Sequence, residues 1–350
     1  MEMNHINWGL ETVRDAAAEQ YPGCTPARVI SQSRDFYRLA AVFGECSAAV
    51  SGKFRYQAQT PTDYPGVGDY VAISGGENGT AVIQGLLPRR SLFVRKAAGT
   101  GQKPQVVAAN VDTLFLCMAL NNDFNLRRLE RYLSIAWDSG AIPVVVLTKA
   151  DLCDDLPGKR LAVEAAAPGV DIVVTSALDS SGKEQIAPYL QEGRTVAFIG
   201  SSGVGKSTLI NAVLGQALLA TGGLRNDDKG RHTTTHRQLL PIPGGGLVMD
   251  TPGMRELGLW ETGEGIERTF SDIEALAGEC RFRDCTHSGE PGCRILAALA
   301  SGELDEGRWQ SYQKLRAENA VAEDMESHLA AKEKKFKQIS KINKANRRRS

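Results

Sequence analysis

The sequence has no stretch approaching ~18 uninterrupted apolar residues, the length that a helix needs to cross a bilayer. It also has no lipidation motif, and its first residues, MEMNHINWGLETVRDAAAEQ, lack a basic start followed by an apolar run. Neither a membrane protein nor a secreted protein is expected. These absences predict a protein that works in the cytoplasm, away from the membrane.

Net charge is absent as well, because 41 Lys and Arg balance 41 Asp and Glu. This balance excludes a uniformly basic nucleic-acid binder. One segment departs from it, since residues 332–349 hold nine Lys and Arg against one Glu. Such a run is typical of a solvated helix face or a frayed tail, and less often of an arm that binds RNA.

Cysteine is sparse, and its distribution is uneven. Of the seven cysteines, four are scattered and predicted to be buried thiols, namely Cys24, Cys46, Cys117 and Cys153. The other three lie close together in CRFRDCTHSGEPGC, residues 280–293, with one histidine among them. In a reducing compartment this cluster favours a metal site over disulfides.

The chain is longer than one typical domain, and three regions with different residue patterns follow one another along it. After an N-terminal extension, residues 1–26, short strand-like runs with Gly, Pro and Asn-Gly breaks predict an OB-type β-barrel and a basic linker over 27–105, although a small β-sandwich is nearly as compatible. Apolar runs alternating with helical periods predict a doubly wound α/β domain over 106–260. Residues 261–350 lack strand patterns and predict a helical domain around a metal site.

A phosphate-binding loop lies between the strand-like TVAFI and the helix-like STLINAVLG. In this pattern, G-x-x-x-x-G-K-[ST], glycines let backbone N–H groups surround phosphates, the lysine reaches the β and γ oxygens, and the hydroxyl that follows it ligates Mg²⁺. The strand and helix context makes a simple glycine-rich turn a poor alternative. The predicted phosphate-binding residues are Gly200, Ser201, Ser202, Gly203, Val204, Gly205, Lys206, Ser207 and Thr208.

A second motif predicts that the base is guanine. Thr148, Lys149 and Asp151 form T-K-x-D after the strand-like PVVVLT, and a carboxylate at Asp151 would accept hydrogen bonds from N1–H and the 2-amino group of guanine. Adenine offers neither donor. Ser176 and Ala177 end another strand-like run, and the Ala177 N–H is predicted to meet the guanine O6.

The remaining nucleotide elements follow the phosphate loop. Asp250 and Gly253, in DTPG, are predicted to hold Mg²⁺ and to sense the γ-phosphate. The predicted magnesium ligands are Ser207, Asp250 and one hydroxyl from the polar stretch 221–238. That hydroxyl comes from one of Thr233 to Thr235, and Thr234 is the residue chosen.

The order of these elements is unusual, because ordinary GTPases place the phosphate loop first and the base reader last. Here the base reader comes about fifty residues before the phosphate loop. Moving the chain ends to a new break between strands keeps every side chain in place. The order therefore predicts a circularly permuted P-loop GTPase.

This permuted order, a preceding barrel and the Cys/His cluster closely resemble the ribosome small-subunit-dependent GTPase A (RsgA) family. The resemblance covers about residues 27–345 and is carried by AANVDT, RRLERYL, TKADL, GSSGVGKSTLIN, GRHTTT, DTPGMRE and CRFRDCTHSGEPGC. It implies a bacterial GTPase that acts late in 30S assembly, binds 16S rRNA near the decoding region, is stimulated by the subunit and cycles between GTP and GDP. A monomer is expected.

Two positions depart from the common GTPase pattern. Thr148 stands where many GTPases carry Asn, and Met254 follows DTPG where Ras-like enzymes place the glutamine that orients water. The family resemblance suggests that His232 in GRHTTT takes over this catalytic role. His236 is a weaker candidate, and either histidine could simply lie on a loop surface. An RNA-binding scaffold with negligible turnover is therefore the alternative function.

The cluster Cys280, Cys285, His287 and Cys293 has the composition of a closed zinc site. Three thiolates and one imidazole complete a tetrahedron and leave no open position for catalysis, so one structural Zn²⁺ per chain is predicted. Arg281, Arg283 and Arg294 surround this cluster and are predicted, with the barrel and the basic tail, to meet rRNA phosphates.

Overall fold

A computed structural model describes residues 6–33, 36–95, 104–176, 181–215, 237–250 and 263–322 of the chain. By its internal contacts the chain divides into two compact units, Met1–Trp260 and Glu261–Ser350. The first unit contains every strand that is described, and the second is helical in its described part.

The first strands close into a five-stranded barrel. Their order is β1-β2-β3-β5-β4, and β1 also pairs with β4, which closes the ring. The pairing of β3 with β5 is parallel, whereas the other barrel pairs are antiparallel. The bounds are β1 Thr25–Ser33, β2 Phe36–Ala41, β3 Gly44–Val50, β4 Tyr70–Gly75 and β5 Thr80–Leu86.

Two parts of the barrel region differ from the strand pattern read from the sequence. The apparent strand through CSAAVSGKFRY stops at Val50, because the Ser51 hydroxyl accepts a hydrogen bond from Phe54 N (3.0 Å) and begins helix α2, Gly52–Gln57. Strand β6 (Leu92–Arg95) lies within the predicted basic linker and pairs with β7 (Gln105–Ala109), which begins where that linker ends. Residues 96–103 lie outside the described chain.

The N-terminal segment packs on the barrel. Residues Leu10–Val13 form a 3-10 turn that leads into α1, Arg14–Gln20. Val13 and Ala17 of this segment are buried against Tyr70, Ala72 and Leu87. Burial of these apolar side chains gives the segment a place in the core of the first unit.

The second half of this unit has the strand order β10-β9-β8-β11-β13-β12, parallel except for β12, which is antiparallel to β13 and also pairs with β1 of the barrel. Alternation along β8 sends Leu114 and Leu116 to one face and Phe115 and Cys117 to the other. The strand bounds are β8 Thr113–Ala119, β9 Ile142–Thr148, β10 Asp171–Val174, β11 Thr195–Ile199, β12 Gln238–Pro241 and β13 Leu247–Asp250.

Helices cover both faces of this sheet, as the predicted doubly wound α/β domain requires. The first face packs against α3, Leu126–Ser139, and α4, Leu156–Ala166, through residues such as Leu133 and Val163. The second packs against α5, Ser181–Ile186, and α6, Lys206–Leu214, through Ile186 and Ile210. Strand β12 was not expected, because it is short and directly follows the polar stretch.

The helical unit has its own apolar core. Its helices are α7 (Gly263–Thr269), α8 (Ser271–Gly278) and α9 (Arg294–Ser301), and residues 306–322 are also helical. Phe270, Ile273, Ile295 and Trp309 are buried together. The loop between α8 and α9 carries the Cys/His cluster, so packed helices hold both of its ends.

Candidate nucleotide site and metal centre

The candidate phosphate loop, residues 200–205, connects β11 to α6. Its backbone requires glycine at several positions, since Gly203 and Gly205 have φ values of 74° and 109°. At Gly200 a side chain is also excluded by space, because an added Cβ would lie 2.5 Å from the carbonyl oxygen of Cys117. The loop can therefore lie directly against β8 and open towards the start of α6, where backbone N–H groups favour an anion.

Lys206 is the first residue of α6 and is buried. Its ammonium Nζ donates to the carbonyl oxygens of Gly200 and Ser201, both at 2.6 Å. These contacts hold the amine inside the loop, in the position that the phosphate-binding motif needs. Of the other predicted phosphate ligands, Ser202 and Thr208 are exposed and Ser207 is half-buried in the first turn of α6.

The base-reading motif lies beside this loop. Thr148 is buried at the end of β9, and its Oγ1 donates to the carbonyl oxygen of Val204 at 2.6 Å. Thr148 thus connects the two predicted halves of the nucleotide site directly. Many GTPases carry Asn at the position of Thr148. In this structure the threonine hydroxyl joins the loop after β9 to the candidate phosphate loop.

Asp151 lies in a short 3-10 turn, Ala150–Leu152, that begins after Lys149 with φ 59°. Its carboxylate accepts a hydrogen bond from the Ser176 hydroxyl at 2.6 Å. The Ala150 N–H donates to Thr175 O at 3.1 Å, which holds this turn against the end of β10. The structure therefore brings Thr148, Asp151 and Ser176 together from separate strands, with the Asp151 carboxylate exposed at the edge.

The strand order explains why these groups meet. The chain runs from β8 outwards through β9 and β10, then crosses back to place β11 on the other side of β8. Ligands of doubly wound sheets bind where the order reverses, beyond the carboxyl ends of the strands. The loops after β8 and β11 face each other at this point.

One residue at this point was missed by the sequence analysis. Asp123, in the loop after β8, accepts a hydrogen bond from the Ser201 hydroxyl at 2.5 Å through Oδ2. Its Oδ1 lies 2.9 Å from a guanidinium nitrogen of Arg128, in the first turn of α3. Asp123 and Ser201 are 78 positions apart, and no local motif joins them. The sequence signal that could have indicated Asp123 was an acidic residue just beyond a buried strand, at the predicted ligand-binding edge of the sheet.

Several predicted residues lie outside the described part of the chain: Ala177, His232, Thr233, Thr234, Thr235, His236, Gly253 and Met254. Their roles remain predictions. Asp250 is described, and it ends β13, which runs parallel to β11. Its carboxyl group therefore belongs to the same edge of the sheet as the phosphate loop.

The Cys/His cluster assembles as the spacing predicts. One ligand atom from each of Cys280, Cys285, His287 and Cys293 lies within 4.8 Å of the others. His287 Nδ1 is 3.6 Å from Cys280 Sγ and 3.4 Å from Cys293 Sγ. Ligands of a tetrahedral zinc ion at ordinary bond lengths are about 3.6 Å apart for sulfur and nitrogen, so this donor set fits a metal.

The surroundings of the cluster act in opposite directions on two of its thiols. Although burial opposes ionisation, hydrogen bonds from the N–H groups of Arg294 and Ile295 hold the pKa of the Cys280 thiol below its usual value. Burial raises the pKa of Cys285 to about 11, and the neighbouring thiols add to this effect. Three adjacent thiolates therefore need a cation to share the loop.

Comparison with known proteins decides the family. A family description, RsgA GTPase, matches residues 86–260. Small ribosomal subunit biogenesis GTPase RsgA 2 of Lactiplantibacillus plantarum is 51% identical over 319 residues, which covers 91% of this chain and 90% of that protein. RsgA 1 of Oceanobacillus iheyensis is 45% identical over 326 residues, with 92% and 93% covered.

The chain belongs to the RsgA GTPase family. It is therefore a GTPase, which confirms the enzyme class predicted from the motifs.

Solved structures confirm the fold. YjeQ from Thermotoga maritima matches with a TM-score of 0.62 and 28% identity, covering 85% of this chain and 99% of that one. YloQ, described as a circularly permuted GTPase, matches with a TM-score of 0.60 and 25% identity, covering 87% and 97%. The predicted barrel, permuted P-loop domain and Cys/His cluster compatible with zinc are thus those of RsgA proteins. No helix in the described part of the chain has the length and hydropathy that a membrane crossing requires.

The arginines around the Cys/His cluster of this chain differ from one another. Arg294, predicted as an RNA contact, places its guanidinium 2.8 Å from Glu303 and 3.2 Å from Glu279. Arg281 lies over the ring of Phe282, which is 42% exposed, with 5.5 Å between guanidinium and ring centre. Because two carboxylates already compensate Arg294, it is a weaker candidate for phosphate binding than exposed Arg281 and Arg283.

Proposed function

We propose that this chain hydrolyses GTP to GDP and phosphate in a cycle that serves late assembly of the small ribosomal subunit, and that the 30S subunit stimulates the reaction. Curated relatives that are 42–51% identical over most of the chain are named small ribosomal subunit biogenesis GTPases. The observation that carries the proposal is the hydrogen bond from Thr148 to Val204, which joins a base reader to a phosphate loop within one such chain.

Guanine selectivity is assigned to Asp151, with the backbone N–H of Ala177 as the partner of the O6 atom. The hydrogen bond from Ser176 orients the Asp151 carboxylate and leaves its other oxygen for the base. A hydrogen bond to a charged group contributes ~1.5–3 kcal/mol, and an unpaired carboxylate would oppose adenine further. Since both loops come from one chain, we propose that the protein functions as a monomer.

Phosphates are assigned to the loop 200–205 and to Lys206, and magnesium to Ser207, Thr234 and Asp250. Magnesium bound there would neutralise charge on the β- and γ-phosphates. The thioether of Met254 is only a weak hydrogen-bond acceptor and has no donor, so it cannot orient a water as the amide of glutamine does. We therefore assign the orientation of the attacking water to His232.

The Cys/His cluster is proposed to hold one structural zinc ion, because its four donor atoms lie within 4.8 Å of one another and three thiolates with one imidazole suit a closed tetrahedral site. Contacts with 16S rRNA near the decoding region are assigned to the barrel, to Arg281 and Arg283, and to the basic run 332–349. A cytoplasmic location follows from the proposed work on the ribosome.

The test is GTP hydrolysis with and without purified 30S subunits. Stimulation is expected for the parent, and His232→Ala should lose most of it while keeping GTP affinity and subunit binding. His236→Ala is the matched control, four residues away in the same stretch, and should be stimulated like the parent. Equal stimulation of His232→Ala and the parent would move the catalytic role elsewhere, and no stimulation of the parent would contradict the proposed cycle.

A further inference from the structure

The loop after β8 is held by hydrogen bonds of its own, apart from its contact with the phosphate loop. Asn121 Oδ1 accepts from Asp123 N at 3.0 Å, and Asn121 O accepts from Phe124 N at 3.0 Å, which together form a tight turn. Asn125 then begins α3, because its Oδ1 accepts from Arg128 N at 3.0 Å. These contacts set the position of the Asp123 carboxylate without any contribution from a ligand.

That carboxylate bridges two elements. Oδ2 accepts from the Ser201 hydroxyl at 2.5 Å, and Oδ1 pairs with Arg128 at 2.9 Å. A guanidinium nitrogen of Arg128 also donates to the Asp123 carbonyl oxygen, so Arg128 holds this residue at two points. The side chains of Asp123 and Arg128 are 30% and 23% exposed, which reduces the screening of their charges by water.

Ser201 is consequently held twice. Its hydroxyl is bound by Asp123, and its carbonyl oxygen is bound by Lys206 at 2.6 Å. The start of the phosphate loop is therefore fixed at Ser201 by two contacts. The loop after β8 holds its side chain, and the lysine ammonium holds its backbone carbonyl. A loop that is already in its bound conformation loses less conformational entropy when it takes up a ligand.

We propose that Asp123 is a positioning residue for nucleotide binding: it acts through Ser201 to hold the opening turn of the phosphate loop ready for the phosphates of GDP and GTP. This inference rests on the proposed assignment of residues 200–205 as the phosphate loop. Asp123 does not touch the nucleotide in this role.

The charges of Asp123 and Arg128 should also affect nucleotide binding. Because the Asp123 carboxylate and the Lys206 ammonium both bind Ser201, this carboxylate would lie close to phosphates held by Lys206 and would repel them. Arg128 compensates this charge through its ion pair. Removal of Arg128 alone should therefore weaken nucleotide binding, most of all at low salt, whereas removal of both charges should restore it.

The experiment measures affinity and dissociation rate for fluorescent GDP on the full chain, with Lys206→Ala as the reference variant. Asp123→Ala and Ser201→Ala should each weaken GDP binding about tenfold, mainly through faster dissociation. The double variant should be no weaker than either single variant, because both changes remove the same hydrogen bond. Asp123→Asn, which keeps an acceptor oxygen, should stay within about threefold of the parent.

The charge arm uses Arg128→Gln alone and combined with Asp123→Asn, at low and high salt. Loss of affinity in the single variant and its recovery in the double variant support the proposal. Independent, additive losses for Asp123→Ala and Ser201→Ala would overturn it, and so would GDP binding at parental affinity in both. If Asp123→Ala does not fold, Ser201→Ala and Asp123→Asn still decide between these results.

The Lys206→Ala variant distinguishes a wrong positioning role from a wrong phosphate-loop assignment. If Lys206→Ala loses GDP while Asp123→Ala and Ser201→Ala bind as the parent does, the positioning role is wrong and the phosphate loop stands. If Lys206→Ala itself binds GDP like the parent, the assignment of the phosphate loop is wrong, and the positioning role is wrong with it.

Discussion

Thr148→Val is the sharpest test of how the nucleotide site is built. Valine has nearly the same shape as threonine but cannot donate a hydrogen bond, so the change removes only the contact from Oγ1 to the carbonyl oxygen of Val204 at 2.6 Å. The pair is buried, and this carbonyl loses its side-chain donor. The loss should lower the free energy of unfolding by about 1–3 kcal/mol.

The same contact should matter for ligands that touch both loops. In the proposed binding mode GDP contacts both the phosphate loop and the base reader, so we expect about 1 kcal/mol weaker binding, roughly fivefold in Kd, when Thr148 no longer joins them. Pyrophosphate, which fills only the phosphate loop, should lose less than about twofold. Equilibrium titration with fluorescent GDP, and displacement of GDP by pyrophosphate, measure the two effects.

Thr148→Ser is the matched control, because it keeps the hydroxyl and loses only a methyl group. It should bind GDP almost as the parent does, and the small cost of the missing methyl should appear in unfolding alone. The reasoning is refuted if Thr148→Ser is weakened while Thr148→Val binds normally. That result would show that packing of the methyl group, and not the hydrogen bond, holds the loops together.

Three further predictions concern other parts of the molecule. Asp151→Asn should shift preference from guanosine to xanthosine nucleotides, since the new amide can donate to a 2-oxo group, and competition binding with GDP and XDP measures this; unchanged preference for GDP contradicts the assignment. Elemental analysis of protein purified without chelator should find one zinc per chain, and Cys285→Ser should lose the metal and the helical circular dichroism of the second unit while GDP still binds; protein without zinc contradicts this. Arg28→Met should lower the free energy of unfolding by about 3 kcal/mol in denaturant titration, because the buried guanidinium donates to Gly68, Trp8, Asn110 and Thr195; an unchanged midpoint means that these contacts contribute nothing.

The parts of the fold that the sequence predicts well are those with local signals. The phosphate loop is fixed by glycines and by its lysine within nine residues, and the Cys/His cluster by three cysteines and one histidine within fourteen. Buried strands such as β8 and β9 carry unbroken apolar runs, which only strands covered on both faces require. For these elements, the residues that determine the conformation are neighbours in the chain.

The parts that were wrong or missed depend on partners elsewhere in the chain. GKFRY alternates like a strand, yet Ser51 caps a helix there. Arg294 looks like a free cation until the fold brings Glu279 and Glu303 to it. Asp123 and Ser201 meet only because β11 inserts beside β8, and that order of strands is a property of the whole sheet.

Permutation leaves the site intact because the phosphate loop, the candidate base reader and Asp250 each lie at the carboxyl end of a strand. Strands β8, β9, β10, β11 and β13 are parallel, so the loops that follow them share one edge whatever order the chain visits them in. Only the connections between strands change.

The barrel joins the same edge of this sheet. Gln238 of the antiparallel strand β12 is paired with Asp250 on one side and with Ser31 of the barrel strand β1 on the other. Adjacent strands lie about 4.8 Å apart, so Ser31 is roughly 10 Å from the Asp250 backbone, across a single intervening strand. The barrel and the Asp250 end of β13 therefore belong to one hydrogen-bonded sheet, and Ser31 and Gln238 are the pair that joins them.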